Sequence, residues 1–115
     1  METKTSTRAV IEHHLGALTE SIDAVLTDYT EDSVLFTPEG NYEGLARIRG
    51  FFTHFLDSLP EGLLEAVKIH KFECSGEVCY LLWEAMPWLP MGTDTFVVRE
   101  GRIAYQTFAS MLTGQ

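Results

Sequence analysis

The feature that most narrows what this chain can fold into is a single change of hydrophobic period near Pro60. Before it, apolar residues recur at the i, i+3, i+4, i+7 spacing of helices that bury one face. Val10, Ile11, Leu15 and Leu18 form one such stripe, and Ile22, Val25, Leu26 and Tyr29 form a second after the polar break Thr19-Glu20-Ser21. Leu45, Ile48, Phe52, Phe55 and Leu59 make a third, which Pro60 and Gly62 stop, because proline lacks the amide donor and clashes with the preceding turn. Between the second and third, Ser33 to Thr37 is β-favouring. It runs into Pro38, whose ring holds Thr37 extended ahead of an expected turn at Glu39-Gly40-Asn41. After Pro60, strands are expected over about 64–74, 77–86, 92–99 and 102–112, separated by Ser75-Gly76, Pro87 to Pro90 and Glu100-Gly101.

Three helices followed by strands with short turns imply an α+β domain, in which the helices close the concave side of a curved, mainly antiparallel sheet. The shape is a cone whose mouth would accept a ligand. With 115 residues there is one core to fill, so residues 1–115 read as a single domain with a loose N-terminus over 1–6. In the strand expected over 77–86, Tyr80 and Leu82 on one side and Leu81, Trp83 and Ala85 on the other are all apolar, so neither sheet face should be wet. Helices can cover one face. A second copy of the chain is the expected cover for the other, giving a homodimer through the sheet.

Charge excludes some partners. A net −9, from 17 acidic against 8 basic residues, repels phosphate backbones and anionic lipid, so neither nucleic acid nor membrane is expected as a partner. The segment from Met1 to Arg8 lacks the apolar centre of a signal peptide, and no apolar run reaches the roughly 20 residues that span a bilayer, so a cytoplasmic location is expected. A hairpin at Gly76-Glu77 would bring Cys74 and Cys79 opposite one another. A disulfide is then geometrically open, but reducing surroundings favour two thiols.

Asp94 alternates with Phe96 and Val98, which puts a carboxylate on an apolar face, where it must either hold its proton or find a partner. His14 lies within the first helical stripe. The two are expected to form a hydrogen-bonded catalytic pair able to move a proton. Phe36, Tyr42, Phe52, Phe55, Trp83 and Phe108, with Leu81 and Thr37, are the expected substrate-binding set, suited to a flat apolar molecule. His13 is about 100° round the helix from His14 and reads as a rim or surface residue. Trp88, between Pro87 and Pro90, reads as a loop residue at the mouth or a subunit contact; Glu84 faces the expected dimer side, and Glu39 a solvent-exposed turn. His54 and His70 add no ligand spacing, so no metal is expected. Phosphate loops, nucleophile elbows and Cys-x-x-Cys pairs are absent from the sequence, and no cofactor is expected.

The stretches "ALTESIDAVLTDYTEDSVLFTPEGNYEGLARIRGFF" and "DTFVVREGRIAYQTFAS", in this order, resemble the SnoaL-like and ketosteroid isomerase-like branch of the nuclear transport factor 2-like superfamily. The resemblance implies the same cone fold and a cofactor-independent proton transfer on a small apolar substrate, as in isomerases, cyclases, dehydratases or hydrolases. Ketosteroid isomerase uses an aspartate base with a tyrosine and a protonated aspartic acid as oxyanion donors. Carried over with one deletion each, the acidic donor falls on Asp94 and the tyrosine on His14. The base falls on Thr37, which cannot abstract a proton at neutral pH, so steroid isomerisation by that route is not expected. A noncatalytic ligand-binding or dimerisation domain with the same pocket is the alternative.

Overall fold

The computed structural model describes residues 6–111. Helix α1 (Thr7–Ala17) and helix α2 (Ile22–Leu26) each begin at a serine whose hydroxyl accepts an otherwise orphaned amide, Ser6 from Ala9 and Ser21 from Ala24. Strands β1 (Val34–Thr37) and β2 (Gly40–Glu43) form a hairpin, and helix α3 (Leu45–Ser58) follows. A 3-10 turn (Leu64–Ala66) leads into β3 (Lys68–Ser75), β4 (Val78–Ala85), β5 (Leu89–Arg99) and β6 (Arg102–Met111).

The α+β architecture is the one expected, with local corrections. Helix α2 stops at Leu26 although its apolar stripe continues to Tyr29, because the Asp28 carbonyl accepts from the Ile103 amide at 2.7 Å and ties the following turn to β6. Glu39-Gly40-Asn41 is not an open turn. The Thr37 hydroxyl bonds both the carbonyl and the amide of Gly40 (2.8 and 3.2 Å) and folds the segment back as β2. The strand expected from 64 starts only at Lys68, and the one expected from 92 starts at Leu89. Residues 1–5 of the segment expected to be loose, and residue 112 of the last strand, lie outside the described residues.

The sheet order is β2-β1-β6-β5-β4-β3, antiparallel throughout except for the β1–β6 pair. That parallel pair joins the early chain to the last strand. Ser33, fully buried just before β1, helps fix it by donating to the Ile103 carbonyl (2.6 Å) while accepting the Thr30 amide (2.8 Å). Register shifts between Ile69 and Lys71, Trp83 and Ala85, and Val97 and Val98 add the twist that bends the sheet. The core fills the space between the helices and one sheet face, centred on Ile11, Val25, Leu35, Ile48, Phe96 and Ile103. Along β4, Cys79, Leu81, Trp83 and Ala85 point into it.

Cys74 and Cys79 face each other across the β3–β4 hairpin with Cα atoms 4.0 Å apart, and they are joined as a disulfide. This overturns the two-thiol expectation. The expected hairpin is present, and its register is what brings the sulfurs together.

Candidate functional site

Between α1, α3 and the helix-covered face of β4, β5 and β6 lies a cavity of about 80 Å³. Aromatic and aliphatic side chains make its walls, chiefly Phe51, Phe52, Phe55, Leu81, Trp83 and Phe108. Apart from the indole N–H of Trp83, its polar groups come from His14, Asp94 and Gln106.

Asp94 points inward from the middle of β5, between Leu81 on β4 and Phe108 on β6. Trp83 stands opposite Gly92, and the missing side chain there is what admits the indole: a Cβ on Gly92 would lie 2.2 Å from Trp83 Cζ2. Laid across the glycine, the indole donates from Nε1 to Asp94 Oδ1 at 2.9 Å. Gln106 Nε2 donates to the other carboxylate oxygen, also at 2.9 Å. Tyr29 donates its hydroxyl to Gln106 Oε1 at 2.5 Å, and so turns the amide nitrogen towards Asp94. The result is a buried chain, Tyr29 to Gln106 to Asp94 from one side and Trp83 from the other.

Burial pushes the Asp94 pKa up to about 6 against the pull of those two N–H donors. The Tyr29 hydroxyl is raised well above its usual value, first by burial and then by the carboxylates of Asp94 and Asp28. His14, 3% exposed, has its pKa lowered to about 4 by burial and, secondarily, by His13. A neutral imidazole and a carboxyl close to its titration point therefore line one apolar space.

The hydrogen bond expected between His14 and Asp94 is not formed. Asp94 is engaged by Trp83 and Gln106, and His14 Nδ1 is buried without a hydrogen-bond partner. The His14 ring packs edge-on against Tyr29, Phe52 and Phe96, at centroid distances of 5.9, 5.9 and 5.5 Å. Phe52, Phe55, Leu81, Trp83 and Phe108 line the cavity as expected, whereas three others of the expected set do not. Phe36 is on the outer sheet face, since its neighbour Leu35 takes the inward position opposite Gln106. Thr37 spends its hydroxyl on the β1–β2 turn. Tyr42 packs one layer back, against Phe51 (5.1 Å). Glu39 is solvent-exposed. Glu84 bonds His70 on the exposed side (2.7 Å), and Trp88 sits near Gly62 rather than on the cavity wall. His13 is half-exposed and is not among the cavity-lining residues, and its Nδ1 reaches the nearly buried Asp28 at 2.8 Å. Gln106, Tyr29, Phe51 and Phe96 belong to the site or its support and were not anticipated there.

No protein-family model matches the sequence, and no curated protein matches it. Solved structures do. A protein of unknown function described as NTF2-like, from Cytophaga hutchinsonii, superposes with a TM-score of 0.71 over 96% of this chain and 95% of its own, at 20% identity. The chain has the nuclear transport factor 2-like fold. Within that fold it is also similar to a candidate polyketide cyclase from Sinorhizobium meliloti (TM-score 0.71, 15% identity, 86% and 92% covered). A candidate isomerase of the SnoaL-like family from Agrobacterium tumefaciens matches likewise (TM-score 0.69, 16% identity, 92% and 99% covered). On this nuclear transport factor 2-like frame, the carried-over positions divide. Asp94 and His14 face the cavity, and Thr37 faces a turn. No helix among the described residues is long and apolar enough to cross a membrane.

Proposed function

We propose that this nuclear transport factor 2-like domain binds a small, mostly apolar molecule in its cavity and transfers a proton on it without a cofactor, as an isomerase, cyclase, dehydratase or hydrolase would. The observation that supports this is Asp94: a carboxyl held by two N–H donors in a greasy space, with its pKa brought to about 6. A proton-transfer group works best when its pKa is near the ambient pH. Asp94 is the general base or acid, and neutral His14 is the second polar contact that a reacting atom would meet. Gln106 and Trp83 orient Asp94, and Tyr29 orients Gln106. A noncatalytic binding domain is the competing reading, favoured by one observation: Thr37, at the position of the ketosteroid isomerase base, commits its hydroxyl to the β1–β2 turn and carries no base.

Mass spectrometry of ligand released from the purified protein, followed by NMR titration of His14 with and without that ligand, separates the two. For the catalytic reading, His14 titrates near pH 4 in the free protein, its pKa moves when ligand is added, and Asp94→Asn removes turnover at least a hundredfold. Turnover surviving in Asp94→Asn would reject the assignment of Asp94.

We also propose that the outer sheet face is covered by a second copy of the chain. Val34, Tyr105, Val97 and Val78 form one cross-strand row there, and Met91 pairs with Met111 in another. Phe36, Val78, Met91, Tyr105 and Met111 are exposed in the single chain. Such a row is apolar and can meet its own copy, as a two-fold interface requires. Light scattering should give twice the monomer mass, and Tyr105→Lys should halve it. A protein that stays monomeric at about 100 μM, roughly a hundredfold above a Kd of about 1 μM, rejects the dimer.

A further inference from the structure

We infer that the cavity recognises a molecule whose small apolar body carries a cationic amine, with Asp94 as the counter-ion. This rests on the ligand-cavity reading above and names the chemistry of its occupant.

The buried charge is incompletely balanced. Asp94 is 7% exposed and receives two hydrogen bonds from neutral groups, yet among the described residues no lysine, arginine or histidine forms an ion pair with it. An isolated carboxylate in apolar surroundings is costly unless it is paired. His14 does not supply the cation: it makes no hydrogen bond to Asp94, and its burial keeps the ring neutral. Each carboxylate oxygen keeps acceptor capacity beyond its one N–H bond, enough for an ammonium group.

The walls suit the same ligand. The Trp83 and Phe108 rings are parallel within 7° at 6.3 Å, and Phe55 meets Phe108 edge-on at 5.4 Å. Aromatic faces attract ammonium and alkylammonium groups, most strongly where water is excluded. An anionic ligand would face Asp94 without a compensating cation, and a neutral one would leave the carboxylate unpaired. The net charge of −9 adds a field that gathers cations. Size limits the part that enters. A cavity of about 80 Å³ is near half the roughly 150 Å³ that accommodates benzene in a designed apolar cavity, so the part that enters is smaller than benzene.

The test compares two probes of the same shape, tert-butylammonium and tert-butanol, with pivalate as the anion, by following the Trp83 indole N–H in ¹⁵N NMR at pH 7.5. Tert-butylammonium should bind at least tenfold more tightly than tert-butanol, and pivalate most weakly. The amine's advantage should shrink at pH 5, where Asp94 takes up its proton, and vanish in Asp94→Asn. Equal affinity for the amine and the alcohol in the wild-type protein overturns the cation proposal and leaves the cavity reading standing. If none of the three moves the Trp83 signal, the cavity reading fails and takes this inference with it.

Discussion

Relative to the wild type, Asp94→Asn should gain stability as the pH rises from 4 to 6.5 and His14→Leu should lose it over the same range, with the wild-type profile running between them. The signs follow from which state binds the proton. Asp94 has its pKa raised from 3.8 to about 6, so across that window the folded protein holds a proton that the unfolded chain has released. Folding therefore loses ground as the pH rises through the window, by about 3 kcal/mol in total. His14 has its pKa lowered from 6.5 to about 4, so between those values the unfolded chain is the one that is protonated. Its contribution is fully present above pH 6.5 and lost as the pH falls towards 4, again by about 3 kcal/mol. Two opposite slopes of similar size offset each other. Removing either group unmasks the other. The Asp28 carboxyl is also raised, by burial opposed by His13, but it is common to all three proteins and cancels in the comparison. Urea unfolding at pH 4.5, 5.5 and 6.5 reads the slopes directly. Two single variants that both keep the wild-type profile would show that the groups are not buried together as described.

The sequence carried the outline of this site but not its wiring, and the reasons are particular. Asp94 shares its parity with Phe96 and Val98, and Trp83 with Leu81, so each was legible beside its apolar partners, although β4 is apolar on both faces in sequence and only the structure shows which one is inward. Gln106 was not. Counting by twos from the buried Ile103 would turn Tyr105 inward and Gln106 out, but the register shift between Val97 and Val98 inserts one residue on β6 and reverses the faces beyond it. A bulge has no composition of its own that would mark it here. The same limit explains the missing His14–Asp94 bond. Periodicity put each residue on an apolar face, and the resemblance put both at one site; knowing that the carboxylate was already engaged needed the position of Gln106. Thr37 and Phe36 failed for a different reason. A four-residue strand can turn one face inward at only two places, and Leu35 and the β1–β2 turn claimed them. Helix α2 was over-extended because Tyr29 keeps helical spacing while serving a hydrogen bond to β6 that no local pattern encodes.

Gly92→Ala, one methyl group, should cost about 1 to 3 kcal/mol of stability and disconnect the site. In an ordinary strand the change would help, since glycine gives up more chain entropy on folding than alanine, by roughly 0.5–1 kcal/mol. Here the new carbon would lie 2.2, 2.3 and 2.7 Å from Trp83 Cζ2, Cε2 and Cη2. Three atoms of one rigid ring are struck at once, so the indole must leave as a whole rather than bend. Cε2 is bonded to Nε1, the atom that donates to Asp94, so that hydrogen bond goes with it. Asp94 then keeps only Gln106 as a donor, and its pKa should climb above about 6, because a donor that favoured the charged form has been lost. Gly50 provides the internal control. It is exposed on α3 with open space where a Cβ would go, so Gly50→Ala should stabilise the protein by about 1 kcal/mol through helix propensity alone. Urea midpoints should move in opposite directions for the two variants, and only Gly92→Ala should shift the Trp83 indole ¹⁵N–H resonance. If Gly92→Ala tracked Gly50→Ala in both measurements, Trp83 would not lie across Gly92, and Asp94 would lack the partner that sets its orientation.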